Sequence, residues 1–339
     1  MTSRTATLIG LTAILMWSLL AVMTVAPGRI PAFPLAAMTF AIGGLAGCVS
    51  LLFRPGGFRA LRQPASVWLV GVGGLFGYHA LYFIALREAP PAEAGLLNYL
   101  WPLLIVLFSA MLPGERLAPH HLIGSILGLS GTVLLFAGNT SIVFERAEIS
   151  GLAAAFMAAF VWAAYSVLSR RLASVPTDVV AGFCLATAAL AAVAHLLLEQ
   201  TVWPDGAAQW LAIAALGIGP VGLAFYVWDI GMKRGDIRVL GAAAYATPLL
   251  STSFLIMAGF AKPAAALAAA AMLIAGGCLI AAKDMIRLER FRAKWIPVRV
   301  KLGPGLFSRR PTPVARRSVR ASAATPAGSG SAAPPACRS

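Results

Sequence analysis

Apolar runs of about twenty residues follow one another along almost the whole chain, and this restricts the fold more than any other feature. A helix rises about 1.5 Å per residue, so roughly 20 apolar residues cross the ~30 Å hydrocarbon core of a bilayer. Ten such runs are predicted, at about residues 7–27, 31–52, 66–87, 92–112, 120–138, 150–169, 178–199, 208–231, 237–259 and 263–282. Turn-forming or charged residues separate most of them: Pro27-Gly28, Pro55-Gly56-Gly57, Pro90-Pro91, Pro113-Gly114-Glu115, Pro204-Asp205-Gly206 and Lys262-Pro263. Only 12% of the 339 residues are charged, against about 25% in a soluble domain, which is too few to cover a water-facing surface. A barrel would alternate polar and apolar residues in short segments, and that pattern is absent. The fold class is therefore an all-α polytopic membrane protein with ten transmembrane helices. The first run is long for a signal peptide, holds Trp17 at its centre and lacks a clear small-residue cleavage site, so it counts as a span.

Orientation follows from the Lys/Arg distribution. With the N-terminus in the cytoplasm, the inside segments hold Arg4, Arg54, Arg59, Arg62, Arg116, Arg170, Arg171, Lys233, Arg234 and Arg238, against Arg29, Arg87, Arg146 and Lys262 outside. Residues 283–339 add 13 Lys/Arg and 2 Asp/Glu, so +11 of the formal +15 lies there. Both termini are expected inside, which an even number of spans satisfies. The segment 283–339 is expected to be a basic, mostly disordered cytoplasmic tail, with its first residues, KDMIRLERFRAKW, near anionic headgroups. Its charge is explained by lipid without nucleic acid. Three of the cysteines, Cys48, Cys184 and Cys278, lie inside apolar runs, and Cys337 has no partner at metal-ligand spacing. They read as small buried hydrophobes rather than ligands, and no metal or cofactor is expected.

A repeat organises the ten spans. Shifted by 146 positions, Arg87 falls on Lys233, Tyr99 on Tyr245, Pro102 on Pro248, Leu103 on Leu249, Leu104 on Leu250, Leu127 on Leu273 and Gly131 on Gly277. Each half holds five spans, an odd number, so the second half enters the membrane from the opposite side. Residues 1–140 and 141–282 are then inverted copies, an arrangement of secondary transporters that places the binding site near the midplane where the copies meet. Proline cannot donate to its helix and clashes with the carbonyl four residues back. Pro102 and Pro248 are therefore expected to kink spans four and nine, to free the carbonyls of Asn98 and Ala244, and to act as paired hinges.

The stretches LNYLWPLLIVLFSAMLPGERL and FYVWDIGMKRGDIRVLGAAAYATPLLST resemble the EamA branch of the drug/metabolite transporter superfamily, with closer similarity to the YddG-type aromatic amino-acid exporters. The resemblance covers about residues 7–282. It implies two inverted five-helix repeats around a central cavity, and export of aromatic and some other amino acids and related metabolites across a bacterial inner membrane by alternating access.

The residues themselves supply a site. Trp17 lies in the middle of span one; Tyr78, His79 and Tyr82 in span three; Asn98 and Trp101 in span four; Trp162 and Tyr165 in span six; Tyr245 in span nine. Trp and Tyr ordinarily favour the membrane–water boundary, so central placement suggests an aromatic-walled pocket or a packed core. Ring faces also attract cations, so a substrate ammonium needs no carboxylate side chain. An intramembrane histidine is costly and points to function; His79 can orient a substrate or carry a proton. Asp229, four residues before Lys233, reads as half of a local ion pair.

Other functions fit less well. No Lys or Arg sits centrally in a span, which disfavours phosphorylated cargo. A multidrug or organic-cation efflux carrier is the alternative, although no carboxylate lies in the centre of span one. GLSG at 128–131, with His195 two spans later, resembles the nucleophile motif of intramembrane serine proteases. In the 146-residue register, however, Ser130 falls on Gly276, as helix packing requires. A channel would show rings of like polar residues, and none is visible. A monomeric carrier with small-molecule partners is compatible with everything above.

Overall fold

Backbone polar groups inside a bilayer have no water to bond, so each apolar run must satisfy its own N–H and C=O groups as a helix. The computed structural model of the protein has this form and describes residues 1–24, 30–114, 117–137, 148–262 and 266–284. Its helices are α1 (Ser3–Ser18), α2 (Leu20–Met23), α3 (Ala32–Leu52), α4 (Ala65–Glu88), α5 (Pro91–Asn98), α6 (Trp101–Ser109), α7 (Pro119–Ala137), α8 (Ile149–Arg171), α9 (Val180–Leu198), α10 (Ala207–Ile218), α11 (Ala224–Arg234), α12 (Ile237–Ala243), α13 (Ala246–Met257) and α14 (Ala266–Ala281). A π-helical turn, Gly219–Leu223, joins α10 to α11. Among the described residues nine helical stretches are long and apolar enough to cross a membrane, and Ala266–Ala281 is a tenth, shorter apolar helix. The expected tail beyond residue 284, and the loop charges Arg29, Glu115, Arg116 and Arg146, lie outside the described residues.

Each predicted run is helical, but four are not continuous. Run one breaks after Ser18, and run eight contains the π turn. Run four stops at Asn98 and restarts at Trp101; run nine stops at Ala243 and restarts at Ala246. The sequence expectation of a kink that frees the Ala244 carbonyl is corrected here. Ala244 and Tyr245 form a tight turn with helical dihedrals between α12 and α13, and Ala244 O accepts the Thr247 N–H at 3.0 Å. Pro102 and Pro248 fall in the first turns of α6 and α13, where a missing N–H costs little.

Interhelical contacts fix which helix ends share a side. Arg54 meets Asp178 at 2.6 Å, Asp236 N donates to Thr7 Oγ1 at 2.8 Å, and His120 Nε2 lies 3.1 Å from Asp284 Oδ2. All three join ends on the side where α1 begins, called here the N-terminal side. On the far side Phe33 N donates to Glu199 Oε2 at 3.2 Å.

The packing repeats with the sequence. α7 lies along α14 and α3 along α9, while α4 lies along α8 and α1 along α11. Exchanging each span with the one five places on maps the first two pairs onto themselves and the last two onto each other, as inverted repeats require. Small residues allow the close approach. A Cβ built on Gly43 would lie 2.7 Å from Gly222 Cα, and one on Gly10 would lie 3.0 Å from Gly231 Cα. Leu69, Leu196, Leu197 and Met257 are each at least 76% exposed. That is the apolar outer surface that lipid, not water, covers.

Candidate functional site

The interrupted helices surround a cavity of about 490 Å³. Its walls come from the ends of α1, α2, α4, α5 and α10, the beginnings of α3, α6, α11 and α13, the middle of α8, and the π turn. These are the far-side halves of the spans, and the rim reaches the exposed Thr24 and Leu86. Among the described residues the lining contains no Asp, Glu, Lys or Arg.

Of the residues singled out from the sequence, Trp17, Tyr78, His79, Tyr82, Asn98, Trp101 and Trp162 line this cavity. Tyr165 and Tyr245 do not. Tyr165 lies 5.3 Å from Trp162 and presses on Gly74, and Tyr245 covers Gly128 on α7. Both are second-layer packing rings. The lining also includes Thr39, Phe40, Tyr99, Pro220, Phe225, Thr247 and Ser251. None of these was singled out as a site residue, although Tyr99 was named in the repeat. For Pro220 a signal existed, since GIGPVG places a proline among three glycines in an apolar run.

Trp17, Trp101 and Trp162 form the cavity floor, and the fully buried Trp228 packs beneath them. Every pairing of Trp17, Trp101, Trp162 and Trp228 has ring centroids 5.0–6.4 Å apart. Most pairs are edge-on or tilted, the arrangement the ring quadrupoles favour. Trp17 Nε1 donates to Pro220 O at 3.1 Å, and Trp228 Nε1 donates to Ser166 Oγ at 3.1 Å. The first bond is made to a carbonyl of the π turn, so a helix irregularity of one half is tied to the first span of the other.

The polar groups of the wall are few and specific. Asn98 Nδ2 donates to Tyr78 Oη at 3.1 Å. Asn98 Oδ1 and Thr247 Oγ1 are buried and have no hydrogen-bond partner among the described residues. Such groups are costly to bury unless a ligand or water completes them. His79 Nδ1 lies 2.7 Å from Leu75 O, within its own helix. With that nitrogen donating, Nε2 is left as an acceptor. Phe40, Tyr78, Phe83 and Phe225 surround the imidazole with centroids 5.0–6.1 Å away.

Below the floor, on the N-terminal side, polar contacts tie the helices together. One residue past Trp228, Asp229 Oδ2 accepts Lys233 Nζ at 2.9 Å and the Thr177 hydroxyl at 2.6 Å. Lys233 also donates to Val175 O at 3.0 Å, and Arg170 Nη1 donates to Met232 O at 3.2 Å. Both members of the ion pair are buried. At the next turn Asp236 caps α12 through the Arg238 and Val239 N–H groups. Burial alone would raise its carboxyl, but the Arg238 guanidinium at 3.1 Å and the two cap bonds outweigh this and hold it below its ordinary value.

The protease pairing is not assembled. Ser130 is exposed on α7, while His195 Nε2 lies 2.9 Å from Thr201 Oγ1 and Nδ1 lies 3.5 Å from Glu199.

A model of the EamA-like transporter family matches residues 4–137 and again 149–283. The chain is 58% identical over 282 residues to a protein of Ancylobacter novellus named aromatic amino acid exporter YddG, covering 83% of this chain and 98% of that one. It is 27% identical over 293 residues to a protein of Escherichia coli strain K12 with the same name, covering 83% and 97%. It is 31% identical over 197 residues to the pseudopaline exporter CntI of Pseudomonas aeruginosa, covering 57% and 66%. A crystal structure of a protein of 58% identity superposes with a TM-score of 0.82 over 85% of this chain and 99% of that chain.

Proposed function

This chain belongs to the EamA-like transporter family, and from that premise we propose that it is a multi-pass inner-membrane exporter whose cargo is aromatic and other neutral amino acids. The observation that carries this reading is a cavity walled by rings whose described lining residues include no charged side chain. A zwitterion has no net charge to neutralise, and a flat side chain gains contact with the Trp floor. The volume suits one small molecule.

In this reading the substrate ring lies over Trp17, Trp101 and Trp162. The ammonium is held by Asn98 Oδ1 and by the faces of Tyr78 and Tyr82. The carboxylate meets the Thr247 hydroxyl at the N-terminus of α13, where the half-helix dipole favours an anion. His79 presents its remaining nitrogen to the bound molecule. Tyr165 and Tyr245 stiffen the wall from behind. With the termini in the cytoplasm the cavity faces outward, and the Asp229–Lys233 network is the closed inner door. Residues 1–140 and 141–282 rock against each other, with Pro102 and Pro248 marking the hinges. Opening the inner door and closing the rim loads the next substrate.

The test is flux in proteoliposomes with a panel of labelled phenylalanine, tryptophan, phosphorylated metabolites and organic cations, with and without a pH gradient. Saturable movement of the aromatic amino acids, without movement of the phosphates, supports the reading. Movement of organic cations alone replaces it with multidrug efflux.

A further inference from the structure

A second cluster lies away from the cavity, on the N-terminal side, where α7 begins and α14 has just ended. Ligand atoms of His120, His121 and Asp284 all lie within 4.8 Å of one another. We propose that this triad is a binding site for a divalent transition-metal ion of the Zn²⁺ class, clamping the start of α7 to the end of α14. No ion is present in the structure.

The geometry of the three side chains carries the proposal. His120 Nε2 lies 3.1 Å from Asp284 Oδ2. That is close to the separation of about 3.4 Å between two ligands of a tetrahedral ion with metal–ligand bonds near 2.1 Å. Yet His120 Nε2 is buried and makes no hydrogen bond among the described residues. The two imidazoles lie with centroids 4.1 Å apart, and His121 is buried. Two neutral imidazoles and one carboxylate are a donor set suited to zinc, with water completing the shell.

Two local features oppose binding and set the affinity. His121 Nδ1 accepts the Ala118 N–H at 3.1 Å, and the metal has to displace or rearrange that bond. Arg238 places a positive charge near His121, but Asp236 pairs with it at 3.1 Å. The site is therefore expected to be reversible and open to exchange, since Asp284 is 58% exposed.

The experiment uses the full chain in detergent, purified without a polyhistidine tag. Co²⁺ is the spectroscopic probe and Zn²⁺ the competitor. The expected result is a visible absorption band that saturates near one equivalent of Co²⁺, bleaches on adding Zn²⁺, and accompanies a metal-dependent rise in melting temperature. His120→Ala and Asp284→Asn should each weaken binding at least about tenfold, while His195→Ala leaves it unchanged. Asp284 is exposed, so its variant should fold normally. A wild-type protein with no saturable band, or a band that survives both His120→Ala and Asp284→Asn, overturns the proposal.

Discussion

The indole N–H of Trp17 donates to the carbonyl of Pro220, 203 residues away, at 3.1 Å. The bond joins the first span to the π turn of the eighth. Trp17→Phe keeps a ring in the floor but leaves this acceptor short of a partner. The expected cost is about 1 kcal/mol of stability, seen as a lower melting temperature in detergent, together with slower flux. Trp17→Ala also removes the ring from contact with Trp101, Trp162 and Trp228 and should cost about 3–5 kcal/mol. A Trp17→Phe protein with unchanged melting and flux would show that the N–H is idle.

Asn98 and Thr247 should separate the two ends of the substrate. If Asn98 Oδ1 holds the ammonium, Asn98→Leu weakens binding of phenylalanine and of phenethylamine alike, each by about tenfold or more, as for a hydrogen bond to a charged group. If the Thr247 hydroxyl holds the carboxylate, Thr247→Val weakens phenylalanine and leaves phenethylamine unchanged. Competition against labelled phenylalanine in proteoliposomes measures both. Equal effects of Thr247→Val on the two compounds would remove it from that role.

The legibility of the chain divides along a physical line. Hydropathy is a local property, so the ten runs could be read directly, and so could the Tyr99–Tyr245 and Pro102–Pro248 repeat. Hydrogen-bond period is not a property of hydropathy. The π turn at Gly219–Leu223 therefore went unseen, and the interruptions at Tyr99 and Tyr245 were expected only as kinks. Which face of a span meets which neighbour is set by packing. Tyr165 and Tyr245 look like Tyr78 in sequence yet pack behind the wall, while Phe40, Thr39 and Ser251 look like filler and line the cavity. The His120–His121–Asp284 cluster needed the pairing of α7 with α14 before its members could be seen as neighbours.

The Asp229–Lys233 pair should behave as a buried couple rather than as two independent charges. Removing one partner leaves the other unpaired, and Lys233→Met or Asp229→Asn should each cost about 3–5 kcal/mol. The double variant should be less destabilised than either alone, because no lone charge remains. Flux in the double variant reports the door itself. If the network of Asp229, Lys233, Thr177 and Val175 holds the inner side shut, the double variant should label more readily at a cysteine placed on the N-terminal side of the floor. Additive melting shifts in the cycle, or unchanged labelling, would argue that the pair does not latch that side.

Adjacent glycines on α14 give the sharpest test of how the two halves close on each other. A Cβ on Gly277 would lie 2.5 Å from the carbonyl oxygen of Gly124 and 3.0 Å from Gly128 N, both of them backbone atoms that cannot swing aside. A Cβ on Gly276, one residue earlier, meets nothing within 4 Å. Helix propensity favours alanine over glycine at both places by about 1 kcal/mol, so propensity alone predicts that both substitutions stabilise. Close packing predicts a split. Gly277→Ala forces α7 from α14 and should cost about 1–3 kcal/mol net, while Gly276→Ala should be neutral or slightly stabilising. Melting of the two variants in the same detergent decides it, and equal melting temperatures would mean that α7 and α14 do not touch along this seam. Because α7 and α14 are the last spans of the two repeats and pack against each other, the split is also expected in flux. Gly277→Ala should transport more slowly per folded molecule, and Gly276→Ala should match the wild type.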